Sequence, residues 1–180
     1  MKSKTTSAVA VVAVSLVVLT GIALAAQDKF TLKAPNGVAF SEFKGYESWQ
    51  NVAPSVVDEG IKSILANPVM IKAYKNGIPG DGKPFPDGSM IAKIEWKKKK
   101  SDESPYSVEV PGALKSLAFI LKDSKRFPDS NGWGYAQFNY DPASGTFKPF
   151  GDDSSFATKC YKCHTIVKEK DYIFTAYAER

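Results

Sequence analysis

The sequence predicts an α+β domain that is built mainly on an antiparallel β-sheet and has only a few short helices. Its 11 prolines and 13 glycines leave few stretches long enough for a long helix, which argues against an all-helical bundle. Several segments instead alternate between apolar and polar residues or are rich in β-branched and aromatic side chains, as strands are. Since the chain has no internal repeat and no long linker, we expect a single domain after the N-terminal segment.

The first 25 residues are predicted to be a secretory signal peptide. Lys2 and Lys4 precede an apolar stretch over residues 8–24, and the Ala-Leu-Ala that ends at residue 25 has the small residues that signal peptidase recognises. Cleavage there would leave a domain of residues 26–180 in the periplasm. An uncleaved membrane anchor is the alternative, because about 17 apolar residues is the lower limit for spanning a bilayer.

Two short helices are predicted. The first covers residues 41–49, around which apolar side chains recur at Phe40, Phe43 and, less regularly, Tyr46 and Trp49. The second covers residues 69–75. It follows Asn67-Pro68, which combines a typical N-cap residue with a proline at the first helical position, and it ends before Gly77.

Four strands are predicted from alternation and from β-branched or aromatic residues, over residues 60–66, 89–96, 114–122 and 133–140. The lysines at 97–100 follow the second of these strands and precede Ser-Asp-Glu-Ser, which is typical of a solvated hairpin end. The segment 77–84 is rich in glycine. It is predicted to be an ordinary turn, because Pro84 stands where a phosphate-binding loop needs Ser or Thr.

The overall charge does not indicate a nucleic acid partner. The formal net charge is +5, and it falls to +3 when the two lysines of the signal peptide are removed. A mildly basic exported chain gives little reason to expect an anionic polymer as its ligand.

The inventory of metal-binding side chains is small and excludes several kinds of site. The chain has one His and two Cys. One histidine cannot form a two-His metal triad or a bis-histidine haem, and two cysteines cannot form a disulfide framework or a four-thiolate zinc site.

All three of these residues lie in Cys160-Tyr-Lys-Cys163-His164, which has the spacing of a c-type haem attachment sequence. In such a sequence, two thiols add across the haem vinyl groups and the adjacent imidazole binds the iron. A structural disulfide, a thioredoxin-like redox pair and part of a zinc site are the alternatives. One covalently attached haem c is favoured, because the motif uses the whole Cys and His inventory and because export suits haem attachment.

The iron is expected to have an open sixth position. There is no second histidine, and Met70 and Met90 are expected to pack in the core, one on a helix and the other on a strand. The 16 residues after His164 contain no methionine. A five-coordinate haem of this kind binds or transforms a small molecule.

The chain resembles the cytochrome P-460 family, which also includes the cytochromes c′-beta. The resemblance covers most of the mature chain. It runs through NPVMIKAYKNG at 67–77, FPDGSMIAK at 85–93, LKDSKRF at 121–127, NGWGY at 131–135 and the haem segment as far as residue 177. The family implies a long antiparallel sheet with few helices, often dimeric, and a five-coordinate haem on the proximal residue His164.

The resemblance also implies further residues of the haem pocket. A lysine that cross-links to the porphyrin in cytochromes P-460 matches Lys93. The cytochromes c′-beta lack this bond, so Lys93 is either a cross-link or the polar side of an alternating strand. Hydroxylamine-oxidising members place a carboxylate over the iron, but the matching position here is Ala118, so the carboxylate is absent. A basic distal residue of the family matches a position near Lys62.

The sequence and the family resemblance therefore favour two functions. The first is an oxidoreductase that acts on hydroxylamine or nitric oxide and exchanges electrons with a redox partner protein. The second is a protein that only binds nitric oxide or carbon monoxide, which Ala118 favours, while a simple electron carrier is a third reading. The aromatic segment 172–177 either covers the proximal side of the haem or fills a homodimer core.

Overall fold

The computed structural model describes residues 27–180, so the predicted signal peptide at 1–25 lies outside the described residues. A six-stranded antiparallel sheet forms the domain, and its strands follow one another in chain order. The strands are β1 Gln50–Val57, β2 Gly60–Ala66, β3 Met90–Lys100, β4 Glu109–Lys122, β5 Trp133–Asp141 and β6 Thr146–Pro149. This architecture confirms the predicted fold class.

The described part of the chain has two short α-helices, α1 Pro68–Lys75 and α2 Ser155–His164. It also has five 3₁₀ helices, at Lys29–Thr31, Phe40–Phe43, Tyr46–Ser48, Pro128–Ser130 and Thr165–Lys170. Helix α1 confirms the predicted helix at 69–75: the Asn67 side chain accepts a hydrogen bond from the Met70 N–H at 3.1 Å. Within residues 27–180, no helix has both the length and the apolar character needed to cross a membrane.

The predicted helix over residues 41–49 is wrong. Two separate 3₁₀ helices occupy this region, and Gly45 between them has a φ of +86°. A left-handed glycine interrupts helical hydrogen bonding, so the apolar residues on either side cannot share one helical stripe.

The four predicted strands are all present. The prediction at 60–66 matches β2, whereas β3 and β4 extend beyond their predicted ends to form a long hairpin. Strands β1 and β6 were not predicted. Strand β1 contains Pro54, and proline is tolerated there because β1 is an edge strand.

Side-chain alternation gives the sheet two different faces. The first, which we call the aromatic face, carries Leu117, Phe119 and Phe138 and is covered by the N-terminal segment; the Phe43 ring stacks on Phe119 with a centroid distance of 4.2 Å. The second, the cavity face, is covered by α1 and by the C-terminal part of the chain. The predicted site residues lie on or over the cavity face.

Candidate haem site

A cavity of about 310 Å³ lies between the cavity face and the C-terminal part of the chain. This volume is within the range of roughly 300–1,000 Å³ that is usual for ligand pockets. Four neighbouring strands contribute one row of side chains to it, because the register pairs Ile64 with Lys93, Lys93 with Ala118 and Ala118 with Gln137. The adjacent row adds Ile91, Ile120 and Tyr135.

The cavity brings together five of the six residues singled out from the sequence. Lys62, Lys93, Ala118, Cys160 and His164 all line it. Lys93 and Ala118 are direct cross-strand partners in β3 and β4, whereas Cys160 and His164 come from helix α2. Residues that are far apart in the chain therefore face one space.

Cys163 is the sixth residue and does not line the cavity. It is exposed, whereas Cys160 is half-buried, and both thiols are free rather than joined in a disulfide. Residues three apart on a helix are neighbours on its surface, so the two sulfurs project from the same side of α2. That arrangement is compatible with two attachment points on one flat group.

Neither methionine of the described chain reaches the cavity. Met70 is fully buried in α1, and Met90, at the start of β3, packs against the core on the aromatic face. Both positions agree with the expected packing roles.

His164 is held by its Nδ1 atom. It ends helix α2, and its Nδ1–H donates to the carbonyl oxygen of Tyr172 at 2.5 Å. This bond fixes the tautomer and leaves Nε2 as the free nitrogen for a metal. Burial lowers the pKa of His164 below its ordinary value, and the charge of Lys93 acts in the same direction, which favours the neutral imidazole that binds iron.

The segment after His164 covers the imidazole within the same chain. The Phe174 ring meets the His164 ring edge-on at 4.9 Å, and the Tyr135 ring lies 5.0 Å away. The Tyr74 hydroxyl donates to the Thr175 carbonyl at 2.8 Å, which ties this segment to helix α1. Of the two alternatives for residues 172–177, the geometry supports cover of the histidine side.

Lys93 lies in the cavity wall with its charge partly desolvated. Burial lowers the pKa of Lys93 below its ordinary 10.5, and the positive charge of Lys62 lowers it further. The amine therefore loses its proton more readily than a surface lysine does. Lys62 itself approaches a carboxylate, with its Nζ 4.0 Å from Glu95 Oε2.

The donors around the cavity fit a haem. An imidazole nitrogen and a thiol face a space walled by Ile64, Ile91 and Ile120, which is the mixture of ligands and apolar surface that a porphyrin needs. The Tyr135 hydroxyl supports the fit, because it is buried in this wall and finds no hydrogen-bond partner within the described residues. A buried hydroxyl without a partner is costly, which points to a polar acceptor on a bound group.

Sequence reasoning missed Tyr135 and the Tyr172 carbonyl, whereas Phe174 belongs to the aromatic segment 172–177 that the sequence had already placed near the haem or in a dimer core. Tyr135 alternates with other residues of a predicted strand, but alternation alone does not distinguish a cavity from ordinary core. The Tyr172 acceptor is a backbone atom, so no side-chain pattern marks it.

Comparison with known families identifies a relationship. A family model described as Cytochrome P460 matches residues 43–175, which is well over half of the chain. The matched region contains all six strands, both α-helices and the residues that line the cavity. No curated protein matches the chain.

Proposed function

The chain belongs to the cytochrome P460 family, which implies a c-type haem protein, and we propose that it is an exported mono-haem cytochrome that acts on hydroxylamine or nitric oxide. The observation that carries this proposal is the meeting of His164, Cys160 and Lys93 at one cavity on the sheet. A ligand, an attachment point and an ionisable amine then surround the same group.

The attachment role is assigned to the two thiols. Each S–H would add across one vinyl double bond of the haem, which gives a thioether, places the hydrogen on the second vinyl carbon and needs no oxidant. Burial raises the pKa of the Cys160 thiol and keeps it protonated before attachment. His164 would hold the iron through Nε2, while its Nδ1–H remains bound to the Tyr172 carbonyl.

The bound haem would supply an open iron position that binds a small nitrogen compound and exchanges electrons with it. The chain's own residues shape the space around that position. Ile64, Ile120 and Ala118 exclude water with apolar surface, and Lys62 brings a positive charge to the same cavity. Electrons would pass to a separate redox partner protein.

Lys93 is proposed as the cross-linking residue. Its position in the cavity wall and its lowered pKa support the role, since only a neutral amine can form a new bond to carbon. Replacing a porphyrin C–H bond by C–N removes one hydrogen from the carbon and one from the amine, so the link would form only with an external two-electron oxidant such as hydrogen peroxide, which takes up both hydrogens and is reduced to water.

Spectra and mass test these proposals together. We expect the purified protein to contain one haem, a mass two hydrogens below chain plus haem if Lys93 is linked, and a Soret band that Lys93→Ala shifts. Lys97→Ala is the matched control, because Lys97 is an exposed lysine on the same strand. A protein without haem would refute the proposal. A Soret band that Lys93→Ala leaves unshifted would exclude the cross-link.

Binding of nitric oxide or carbon monoxide without turnover is the second candidate function. It is favoured by the cavity wall, in which none of the described lining residues is Asp or Glu and position 118 is Ala. Removing protons from a bound amine needs an acceptor, whereas binding a gas does not. Gas binding without hydroxylamine oxidation, measured on the haem-loaded protein with an artificial oxidant, would select this function.

Location and assembly are further proposals. An exported protein should have a mass that begins at residue 26, whereas a membrane anchor would retain residues 1–25. A homodimer is proposed from family membership, and light scattering of the purified protein tests it. No nucleic acid partner is proposed.

A further inference from the structure

Lys122 and Asp171 form a buried ion pair close to the cavity. Lys122 Nζ lies 2.9 and 3.0 Å from the two carboxylate oxygens of Asp171, and the side chains are only 5% and 9% exposed. Removing two charges from water costs about as much as their attraction returns, so such a pair is weak evidence for stability. Its presence calls for another explanation.

The pair connects three separate parts of the chain. Lys122 ends strand β4, Asp171 follows the 3₁₀ helix Thr165–Lys170, and Asp171 Oδ2 also accepts the backbone N–H of Phe85 at 2.8 Å. Lys122 Nζ additionally lies 4.6 Å from the centre of the Trp133 ring, a cation–π contact. Asp171 is therefore held from two directions.

The backbone at Asp171 needs this support. Asp171 and Tyr172 have φ values of +48° and +64°, two successive left-handed residues of which neither is glycine. Such conformations persist only where the surroundings fix them. The second of these residues provides the carbonyl that accepts the His164 Nδ1–H at 2.5 Å.

We propose that the Lys122–Asp171 pair is a positioning device for His164. It fixes the left-handed turn, the turn aims the Tyr172 carbonyl, and that carbonyl sets the orientation and basicity of the imidazole. This inference rests on the proposed role of His164 as the iron ligand. Lys122 and Asp171 act through the turn and are not among the residues that line the cavity.

The test uses the haem-loaded protein and reads the iron–imidazole bond. The main variant is Lys122→Met with Asp171→Gly, which leaves neither charge unpaired and places glycine where φ is positive. Asp171→Asn is the conservative variant, because asparagine tolerates the same φ and keeps an oxygen to accept hydrogen bonds. Arg126→Met is the matched control, since it breaks the ion pair with Glu42 away from the cavity.

Resonance Raman spectra of the ferrous protein and its reduction potential are measured for each form. A hydrogen bond from Nδ1 raises ligand basicity, so its loss should shift the iron–imidazole band of the double variant to lower frequency. It should also raise the potential: a tenfold change in relative ligand affinity corresponds to about 59 mV for one electron. Asp171→Asn and Arg126→Met should stay close to wild type.

The outcomes separate this inference from the proposed function. A double variant with the wild-type band and potential would overturn the inference while leaving His164 as the ligand. A wild-type protein with no iron–imidazole band would overturn the ligation itself, and the inference with it. If the double variant does not fold, Lys122→Met with Asp171→Asn is the second variant, because it also removes the ion pair without leaving a buried charge unpaired, and the asparagine oxygen can still accept the Phe85 N–H.

Discussion

Ala118→Glu should turn the cavity into a better site for hydroxylamine oxidation. The substitution places a carboxylate in the row of side chains that crosses the cavity wall, directly opposite Lys93. Ala118 is half-buried and faces the cavity, so the longer side chain extends into open space rather than into packed core. The new group would supply the proton acceptor that the wall otherwise lacks.

The strand register allows the interaction between the new carboxylate and Lys93 to be calculated. Direct cross-strand partners have Cβ atoms about 4.5–5.5 Å apart, so the new carboxylate can approach the Lys93 amine to about 4 Å. At that distance, opposite charges attract by about 4 kcal/mol in an effective dielectric of about 20, which is worth roughly three pKa units. Burial raises the pKa of the new carboxyl group, but the pKa of an unperturbed glutamate is only about 4.3. The attraction to Lys93 therefore keeps the group ionised at neutral pH. If Lys93 is linked to the porphyrin, Lys62 supplies a positive charge in the same wall.

A positioned general base contributes about 10²–10⁴-fold to a rate. Because the acceptor is introduced without optimised surroundings, we expect the lower end, about a hundredfold in kcat/KM for hydroxylamine. The assay is steady-state oxidation with an artificial electron acceptor. Ala118→Gln is the control, since it has the same shape without the charge.

Equal rates for Ala118→Glu, Ala118→Gln and wild type would refute this reasoning, provided that all three proteins bind nitric oxide at an open iron. The pH profile adds a second check. The gain should appear only above the pKa of the introduced carboxyl group, because the protonated form cannot accept a proton.

Three predictions concern stability, each measured by urea unfolding. Burial alone would raise the pKa of Glu42, but the Arg126 guanidinium holds it below its ordinary 4.5, so Glu42→Gln should cost about 1 kcal/mol at pH 7 and progressively less below pH 4.5. Gly134→Ala should cost about 1–3 kcal/mol, because the new Cβ would lie 2.5 Å from Cζ of Phe127. Asn67→Ala should cost about 2–3 kcal/mol, since it removes hydrogen bonds to the backbone of α1, β3 and the turn before β3.

Each of these predictions has a clear contrary result. For Glu42, the folded pKa is lowered, so its stabilisation is present above the unfolded pKa and is lost as the pH falls through the folded one. A Glu42→Gln difference that persists undiminished at pH 3 would contradict this linkage. Wild-type stability in Gly134→Ala would mean that the Phe127 ring moves aside. A loss of unfolding free energy below about 0.5 kcal/mol in Asn67→Ala would mean that water replaces the hydrogen bonds of the side chain.

The sequence predicted the elements whose signals are local. Helix α1 follows from Asn67 and Pro68, because an N-cap and a first-turn proline act within a few residues. Strand β1 was missed, since Pro54 is acceptable only at a sheet edge and edge position is a property of the whole sheet. Helix α2 was missed because its ten residues carry one buried side chain, Phe156, and so lack an apolar stripe.

In the candidate site, too, the sequence predicted features with local signals and missed those that depend on the whole fold. Cys160, Cys163 and His164 are recognised by spacing, and Lys93 and Ala118 were each assigned to a strand from the sequence. That Lys93 faces Ala118 depends on the register of β3 with β4, which composition does not determine. The left-handed turn at residues 171–172 contains no glycine, so no residue type in the sequence predicts it. Its hydrogen bond to His164 uses a backbone atom, which also leaves no sequence signal.

The two walls of the cavity should control different properties of the iron. Position 118 acts from the sheet on the proton transfers of a bound ligand, whereas Lys122 and Asp171 act through the Tyr172 carbonyl on the imidazole. Ala118 and Lys122 lie four residues apart on β4, which is about 13 Å along a strand, and changes separated by more than about 7–10 Å without shared partners combine additively in free energy. Ala118→Glu places a negative charge in the same cavity, which should lower the reduction potential because it stabilises the ferric form, whereas the turn variants should raise the potential. Combining Ala118→Glu with Lys122→Met and Asp171→Gly should therefore give the product of the separate effects on hydroxylamine turnover and the sum of the two potential shifts. A combined potential shift that departs from this sum would mean that the two walls are coupled through the haem.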